Sequence, residues 1–226
     1  MDGTLLDHAS AAAAAGEAFV RRVRPDLPVA AAMELWSDAD HDGYQQFLDG
    51  ELTFQERRRY GVRGLIPELR NAPDADVDAA FETYLSDYRG RWRAYPDARP
   101  AVAAMLDMGM RVAVLSNASQ LQAEEKADVI GLWPELTPII SSESVGAAKP
   151  DPRIFAVACD ALDCPAEETL MVGDDLMGDV LGAVRAGLRA TWLNRDDPRT
   201  VEDALGLSTS PAPTIHSLAE LHTVLG

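Results

Sequence analysis

From Arg111 onward, short apolar runs alternate with stretches whose apolar positions recur at helical spacing. Strands are predicted at Arg111 to Leu115, Thr137 to Ser141, Thr169 to Gly173 and Arg189 to Leu193, with helices at Gln120 to Ile130, Pro152 to Leu162 and Val180 to Ala186 between them. A short apolar piece at Thr214 and Ile215 and a helix from Leu218 to Val224 complete the series. Repeated strand–helix alternation of this kind folds as a parallel sheet flanked by helices.

The stretch from Ala9 to Arg93 has a different rhythm. It carries almost no strand-like runs, and its apolar residues recur at helical intervals, as in Ala18, Phe19 and Val23 and again in Phe81, Tyr84, Leu85 and Tyr88. Turn signals at Pro25, Asp42-Gly43, Pro67 and Pro73 divide it. The pattern predicts an α/β core domain from residues 1–8 and 94–226, with an α-helical domain, residues 9–93, inserted near its start.

A chain of 226 residues, 47% hydrophobic, is long enough for one core of ordinary size with a smaller appended domain. Its net charge of −17 disfavours nucleic acid or an anionic membrane as partner, since both demand a basic patch that displaces counterions. No apolar run is long enough for a membrane span, and the start Met1-Asp2-Gly3-Thr4 shows neither the basic nor the apolar region of a signal peptide, so the cytoplasm is the expected location. Cys159 and Cys164 are too few for a disulfide framework and read as small buried thiols. Nearly all the basic residues are arginine, and Lys126 and Lys149 are the only lysines.

Chemistry concentrates in four short stretches, three of which follow a predicted strand. They are Asp2-Gly3-Thr4-Leu5-Leu6-Asp7, Ser116-Asn117, Lys149-Pro150-Asp151-Pro152, and the acidic knot Asp174-Asp175-Leu176-Met177-Gly178-Asp179. Open parallel sheets bind ligands at the carboxyl ends of their strands, where these residues fall. Asp174 and Asp179, five residues apart, can converge on a hard cation such as Mg²⁺, which takes few protein carboxylates and keeps several waters. A phosphoryl group in flight spreads negative charge over its oxygens, and the hydroxyl of Ser116, the ammonium of Lys149 and a held Mg²⁺ would stabilise it.

At these residues the chain resembles the haloacid dehalogenase-like (HAD) hydrolase superfamily, in the branch with a helical cap inserted after the first motif. Its pattern of Asp-x-Asp-Gly-Thr, a strand ending in Ser or Thr, a Lys before a Pro-rich turn, and Gly-Asp followed by a second Asp is met by Asp2-Gly3-Thr4, Ser116-Asn117, Lys149-Pro150-Asp151-Pro152 and Gly173-Asp174 to Asp179. Gly182-Ala183 and Ala186-Gly187 fit as well. The resemblance implies a Rossmann-like parallel sheet with a helical cap that closes over the site. It also implies a Mg²⁺-dependent phosphatase of a small phosphorylated metabolite working through an aspartyl-phosphate, as monomer or homodimer.

In the family pattern the first Asp is the nucleophile and the second the general acid/base. Asp2 directly precedes Gly3-Thr4, so it takes the second role, and its backbone carbonyl is implied as a metal ligand beside Asp174 and Asp179. The nucleophile and the first core strand would lie before Met1. The expectation is a natural product starting roughly ten residues upstream, enough for one strand, and a chain that without them is chemically incompetent.

Dehalogenases lack a carboxylate at the position of Asp2, so Asp2 favours phosphate. The alternatives are a haloacid dehalogenase, or a non-catalytic phospholigand-binding protein if Met1 is the true start. Ser116 and Lys149 are the implied phosphate stabilisers and Asn117 an expected contact, with Asp175 serving as a helix cap or an outer-sphere residue. Arg57, Arg58 and Arg59 read as a solvated face, from which one could reach a substrate anion, and Trp36, Tyr44 and Phe47 as core of the helical insert. His8, His41, His216 and His222 lack metal-ligand spacing and receive no role.

Overall fold

The computed structural model describes residues 1–225. The chain divides into two compact units, one formed by Met1–Asp7 and the chain from Arg93 onward, the other by His8–Trp92.

The second unit is built from α1 (His8–Val23), α2 (Val29–Leu48), α3 (Phe54–Leu65) and α4 (Asp74–Arg89). Phe19, Val20, Ala32, Trp36, Val62, Leu65, Ile66 and Val77 form its buried core. Buried positions recur at three- and four-residue intervals, as in Ala11, Ala15 and Phe19, Ala32 and Trp36, Val62 and Leu65, and Leu85 and Tyr88, which is the amphipathic stripe read from the sequence. Thr53 and Glu56 close a capping box that starts α3, the side chain of each accepting the other's backbone N–H. Trp36 lies in this core, whereas Tyr44 and Phe47 stack on each other at 6.2 Å between ring centroids. The three consecutive arginines are engaged within the unit: Arg57 pairs with Asp40 and lies over Tyr44, Arg58 lies over Phe54 and Phe81, and Arg59 bonds Asp78 through two nitrogens.

The first unit carries α5 (Ala98–Asp107), β1 (Val114–Ser116), α6 (Gln120–Val129), β2 (Ile139–Ser141), α7 (Ser142–Val145), α8 (Pro152–Leu162), β3 (Leu170–Gly173), α9 (Gly182–Arg185), β4 (Arg189–Leu193), α10 (Val201–Leu205) and β5 (Thr214–Ile215). All pairings are parallel. They form two sheets, β1-β2 and β3-β4-β5. Both lean on one core, in which Leu115 and Ile140 join Ala190 and Trp192 through Ile154, Phe155, Ala158 and Cys159 of α8. Asp151 caps α8 and Pro152 occupies its first turn, where a missing N–H costs nothing.

Several boundaries differ from the sequence pattern for local reasons. β1 starts at Val114 because its first rung is the bond from the Val114 N–H to the Pro138 carbonyl, and β2 starts at Ile139 because Pro138 has no N–H to offer. Arg111, Val112 and Ala113 instead line an apolar cavity of about 440 Å³, shared with Leu170, Met171 and Val172 of the β3 side and with Met1 and Leu5. The segment after Asp175 is a wide π-turn, Leu176–Leu181, before the short α9, where a regular helix from Val180 was expected. The end of the chain forms 3₁₀ turns at Leu218–Thr223 in place of an α-helix. No helix among the described residues is long and apolar enough to cross a membrane.

Thr191, in the middle of β4, is fully buried, and its hydroxyl has no hydrogen-bond partner. A stranded buried hydroxyl costs about 1–3 kcal/mol. Thr191→Val keeps the shape and removes the polar atom, so it is expected to raise unfolding stability by about 1 kcal/mol. A lower urea midpoint for this variant would show that the hydroxyl is satisfied in solution.

Candidate active site

The first seven residues form a tight turn that presents Asp2, Gly3 and Thr4. The N–H groups of Leu5 and Leu6 both bond the Met1 carbonyl, the Gly3 N–H bonds the Leu6 carbonyl, and Gly3 sits at φ +68°. That left-handed conformation suits glycine, which has no Cβ to clash. Space makes a second demand on the same residue: a Cβ on Gly3 would lie 2.0 Å from Oδ2 of Asp174. The turn is thus pressed directly against the acidic knot, and Thr4 Oγ1 donates to Asp174 Oδ1 at 2.8 Å.

Glycines seat the other carboxylates too. A Cβ on Gly173 would meet Asp179 Oδ2 at 2.1 Å, and one on Gly178 would meet Asp175 Oδ2 at 2.4 Å. The π-turn follows from this seating. Asp175 caps it by accepting from the N–H groups of Met177 and Gly178, and the Val180 N–H reaches back five residues to the Asp175 carbonyl. Widening the turn lets Asp179, nearly fully buried, point back under Gly173.

Asp179 meets Lys149 there. Lys149 Nζ donates to Asp179 Oδ1 at 2.5 Å and to the Leu115 carbonyl at 3.2 Å, joining the ends of β1 and β3. Burial alone would lower the Lys149 pKa, but the charges of Asp179, Asp174 and Asp175 hold it above its ordinary value, so the ammonium persists. Asn117 fixes the lysine from behind: its Oδ1 accepts from the Lys149 N–H at 2.8 Å and its Nδ2 donates to the Lys149 carbonyl at 3.0 Å. The amide expected to touch substrate is therefore occupied in placing Lys149. Ser116, buried at the end of β1, accepts from the Ala118 N–H at 3.2 Å through its Oγ.

The other lysine is also in the site, which sequence reasoning missed. Lys126, on α6 and only 2% exposed at its side chain, donates from Nζ to both oxygens of Asp2, at 2.8 and 2.6 Å. Its rarity in an arginine-rich chain was the available signal. The α-nitrogen of Met1 is buried at the same focus. Burial, followed by the charge of Lys149, pushes it below its ordinary value against the opposing pull of Asp2, Asp179 and Asp174. The charges of Asp2, Lys149, Asp174 and Asp179 thus all act on one nitrogen, while Ser116 and Asn117 stand beside Lys149 on the strand end it bonds.

The donor set fits a small hard cation. Burial pushes the Asp174 carboxyl above the usual carboxylate range, the charge of Asp179 adds to the rise, and the Thr4 hydroxyl offsets part of it. Negative charge in excess of what the neighbouring groups neutralise is what a divalent ion relieves. Among the described residues no group of three or more His, Cys, Asp or Glu side chains is assembled to hold a metal. Mg²⁺ is bound through one or two carboxylates plus waters and substrate oxygens, a demand that Asp174 and Asp179 are able to meet.

An ion pair behind the turn secures it. Arg195 bonds both oxygens of Asp97 at 2.9 and 3.0 Å, donates to the Thr4 carbonyl at 2.8 Å and to the Gly3 carbonyl at 3.3 Å, and lies 3.9 Å from the Tyr95 ring centroid. Asp97 also accepts from the Ser217 hydroxyl and the Leu218 N–H. No sequence motif announced this pair.

The comparisons with known proteins agree with the geometry. The family model for haloacid dehalogenase-like hydrolases matches residues 1–187. The chain belongs to that family. The phosphoserine phosphatase of Thermus thermophilus is 32% identical over 173 residues, covering 75% of this chain and 68% of that protein. The ribulose-1,5-bisphosphate 5-phosphatase of Halopiger xanaduensis is 25% identical, covering 84% of each. Among solved structures, the magnesium-bound HAD-hydrolase YfnB from Bacillus subtilis superposes with a TM-score of 0.81 at 22% identity, covering 100% of this chain and 95% of that one. The 2-haloacid dehalogenase of Pseudomonas syringae gives a TM-score of 0.70 at 23% identity, covering 100% and 95%. Both likenesses show the shared HAD fold.

Two outcomes follow for this site. Gly173→Ala should force Asp179 off Lys149 and cost about 1–3 kcal/mol in urea denaturation through overpacking; unchanged stability would mean that the carboxylate has room to move. The Asp97 carboxyl, which burial would raise, is held at about 2 by the hydrogen bonds from Arg195, Ser217 and Leu218, against an ordinary 3.8. Its contribution is complete above pH ~4 and is lost as pH falls through ~2, so Asp97→Asn should cost about 2 kcal/mol near neutrality and progressively less below pH ~4. Parallel pH–stability curves for the two proteins would contradict this.

Proposed function

We propose that the protein is a Mg²⁺-dependent phosphatase of small phosphorylated metabolites that works through an aspartyl-phosphate. The observation that carries this reading is the carboxylate of Asp2 at the focus shared with Lys149, Asp174 and Asp179. Expelling an alkoxide needs an acid, and hydrolysing an acyl phosphate needs a base; a halide leaving group needs no acid. The phosphatase names carried by the Thermus and Halopiger relatives support the same choice over the dehalogenases of like fold.

Lys149 has three N–H donors, two of them committed to Asp179 and Leu115, and the third is assigned to a phosphate oxygen. Ser116 adds a hydroxyl donor at the end of the adjoining strand. Asp174, with Asp179 and the Asp2 carbonyl, would hold Mg²⁺, which supplies charge neutralisation to the phosphoryl oxygens when bound. The nucleophile is assigned to a carboxylate immediately before Met1, because that position opens on the same four charged groups. A strand leading to it would enter between β1 and β3 and fill the apolar cavity lined by Val112, Val114, Leu170 and Val172. Asp2 then protonates the leaving oxygen and afterwards takes a proton from water.

The protein expressed with the codons preceding Met1 is expected to hydrolyse p-nitrophenyl phosphate with Mg²⁺ and to lose that activity on chelation. Asp174→Asn and Asp2→Asn should each lower kcat by roughly 10²-fold or more. Binding of phosphomonoesters without turnover of any would replace this reading with that of a phospholigand-binding protein.

A further inference from the structure

In 226 residues there are two lysines, and each is buried against an aspartate of the candidate site. Lys149 lies in a family motif. Lys126 lies in none, yet it is among the most deeply buried large side chains of the protein. A lysine is rarely removed from water unless it is paired, and removal of one partner from such a pair leaves a costly bare charge. Surface attachment does not explain a lysine here, because the ammonium meets both oxygens of the one carboxylate that distinguishes phosphate from halide chemistry.

We propose that Lys126 is a positioning residue that aims the Asp2 carboxylate at the water that hydrolyses the aspartyl-phosphate. The inference rests on the reading of Asp2 as the general base. α6 is anchored where this requires it. Ser119 caps the helix, accepting the Gln122 N–H, while the Gln120 side chain bonds the Ile139 carbonyl of β2 and its N–H bonds Glu143. Lys126 therefore projects its long side chain from a helix pinned to the sheet, and the Asp2 carboxylate is held at both oxygens. A carboxylate oxygen can accept more than one hydrogen bond, so an ion pair with an ammonium is compatible with a role toward water.

In the step served, the water oxygen bonds to phosphorus and the bond from phosphorus to the nucleophile's carboxylate oxygen breaks, returning its electron pair to that oxygen. The water proton passes to an oxygen of Asp2, and inorganic phosphate leaves. A carboxylate displaced by about 1 Å loses much of its advantage in such a step. Loss of Lys126 should therefore slow breakdown of the phosphoenzyme more than its formation.

The test uses the protein expressed with its upstream codons, Mg²⁺ and p-nitrophenyl phosphate. Lys126→Met is expected to lower kcat roughly tenfold or more and KM in parallel, leaving kcat/KM within about twofold, with a pre-steady-state burst of p-nitrophenol equal to the enzyme concentration. A purely structural role would lower kcat at constant KM and shrink the burst, which would overturn the proposal. In case the single variant fails to fold, Asp2→Asn combined with Lys126→Met removes both charges together. It should match Asp2→Asn alone, since residues acting through one another are not additive, and a further loss would count against the proposal. An active parent enzyme with an unaffected Lys126→Met variant sinks this inference alone, while a parent that hydrolyses no phosphomonoester sinks the phosphatase reading with it.

Discussion

Holding several carboxylates close together is the constraint on which the rest of this site depends. Asp174 and Asp179 lie close to the turn that carries Asp2, in a protein that already has a net charge of −17. Three devices keep them together. Lys149 and Lys126 neutralise Asp179 and Asp2 at contact distance. Thr4 holds Asp174 by a hydroxyl. Glycines at 3, 173 and 178 give up their side-chain volume so that a carboxylate can lie against the backbone. Asp174 has a raised tendency to bind a proton, because its desolvation outweighs the help of its neighbours, and a divalent ion relieves that excess.

The second requirement is mechanical. The turn bearing Asp2 and Thr4 has no regular secondary structure of its own, and its geometry is imposed by partners distant in sequence. Arg195 follows β4, Asp97 precedes α5 and Ser217 follows β5, yet the three meet behind Gly3 and Thr4. A bidentate arginine pair suits this task, because the planar fork fixes direction as well as distance. Asn117 plays the same part for Lys149, imitating a strand neighbour with its side-chain amide. The candidate site is thus assembled from side chains of several loops, and polar clamps fix their positions.

Much of this was legible in the sequence, for identifiable reasons. α8 and β4 have the bounds read from the sequence because each has a local signal: Asp151-Pro152 opens the helix, and Ala190, Trp192 and Leu193 give the strand its buried apolar residues. The acidic knot was legible because carboxylates five residues apart at the mouth of an apolar strand can converge on a hard cation. What escaped was whatever depends on pairing across long separations. β1 is shorter than its apolar run, since Val112 and Ala113 have a strand's composition but border a cavity rather than a ladder. α5 was not recognised, because Pro100 in its first turn resembles a breaker although a proline is tolerated there. Lys126 and Arg195 carry no local pattern at all; what defines each is the residue it meets, 124 positions away for Lys126 and 98 for Arg195.

The burial of both lysines also governs how the folded protein meets amine chemistry. With Lys126 at 1% and Lys149 at 9% exposure, the native surface of the described chain offers no well-exposed ε-amino group. Acylating reagents, lysine-specific proteases and enzymes that conjugate tags to lysine all need that group in the open. Any such mark on Lys126 or Lys149 would therefore record a moment when the candidate site had come apart, making lysine labelling a built-in gauge of the site's integrity.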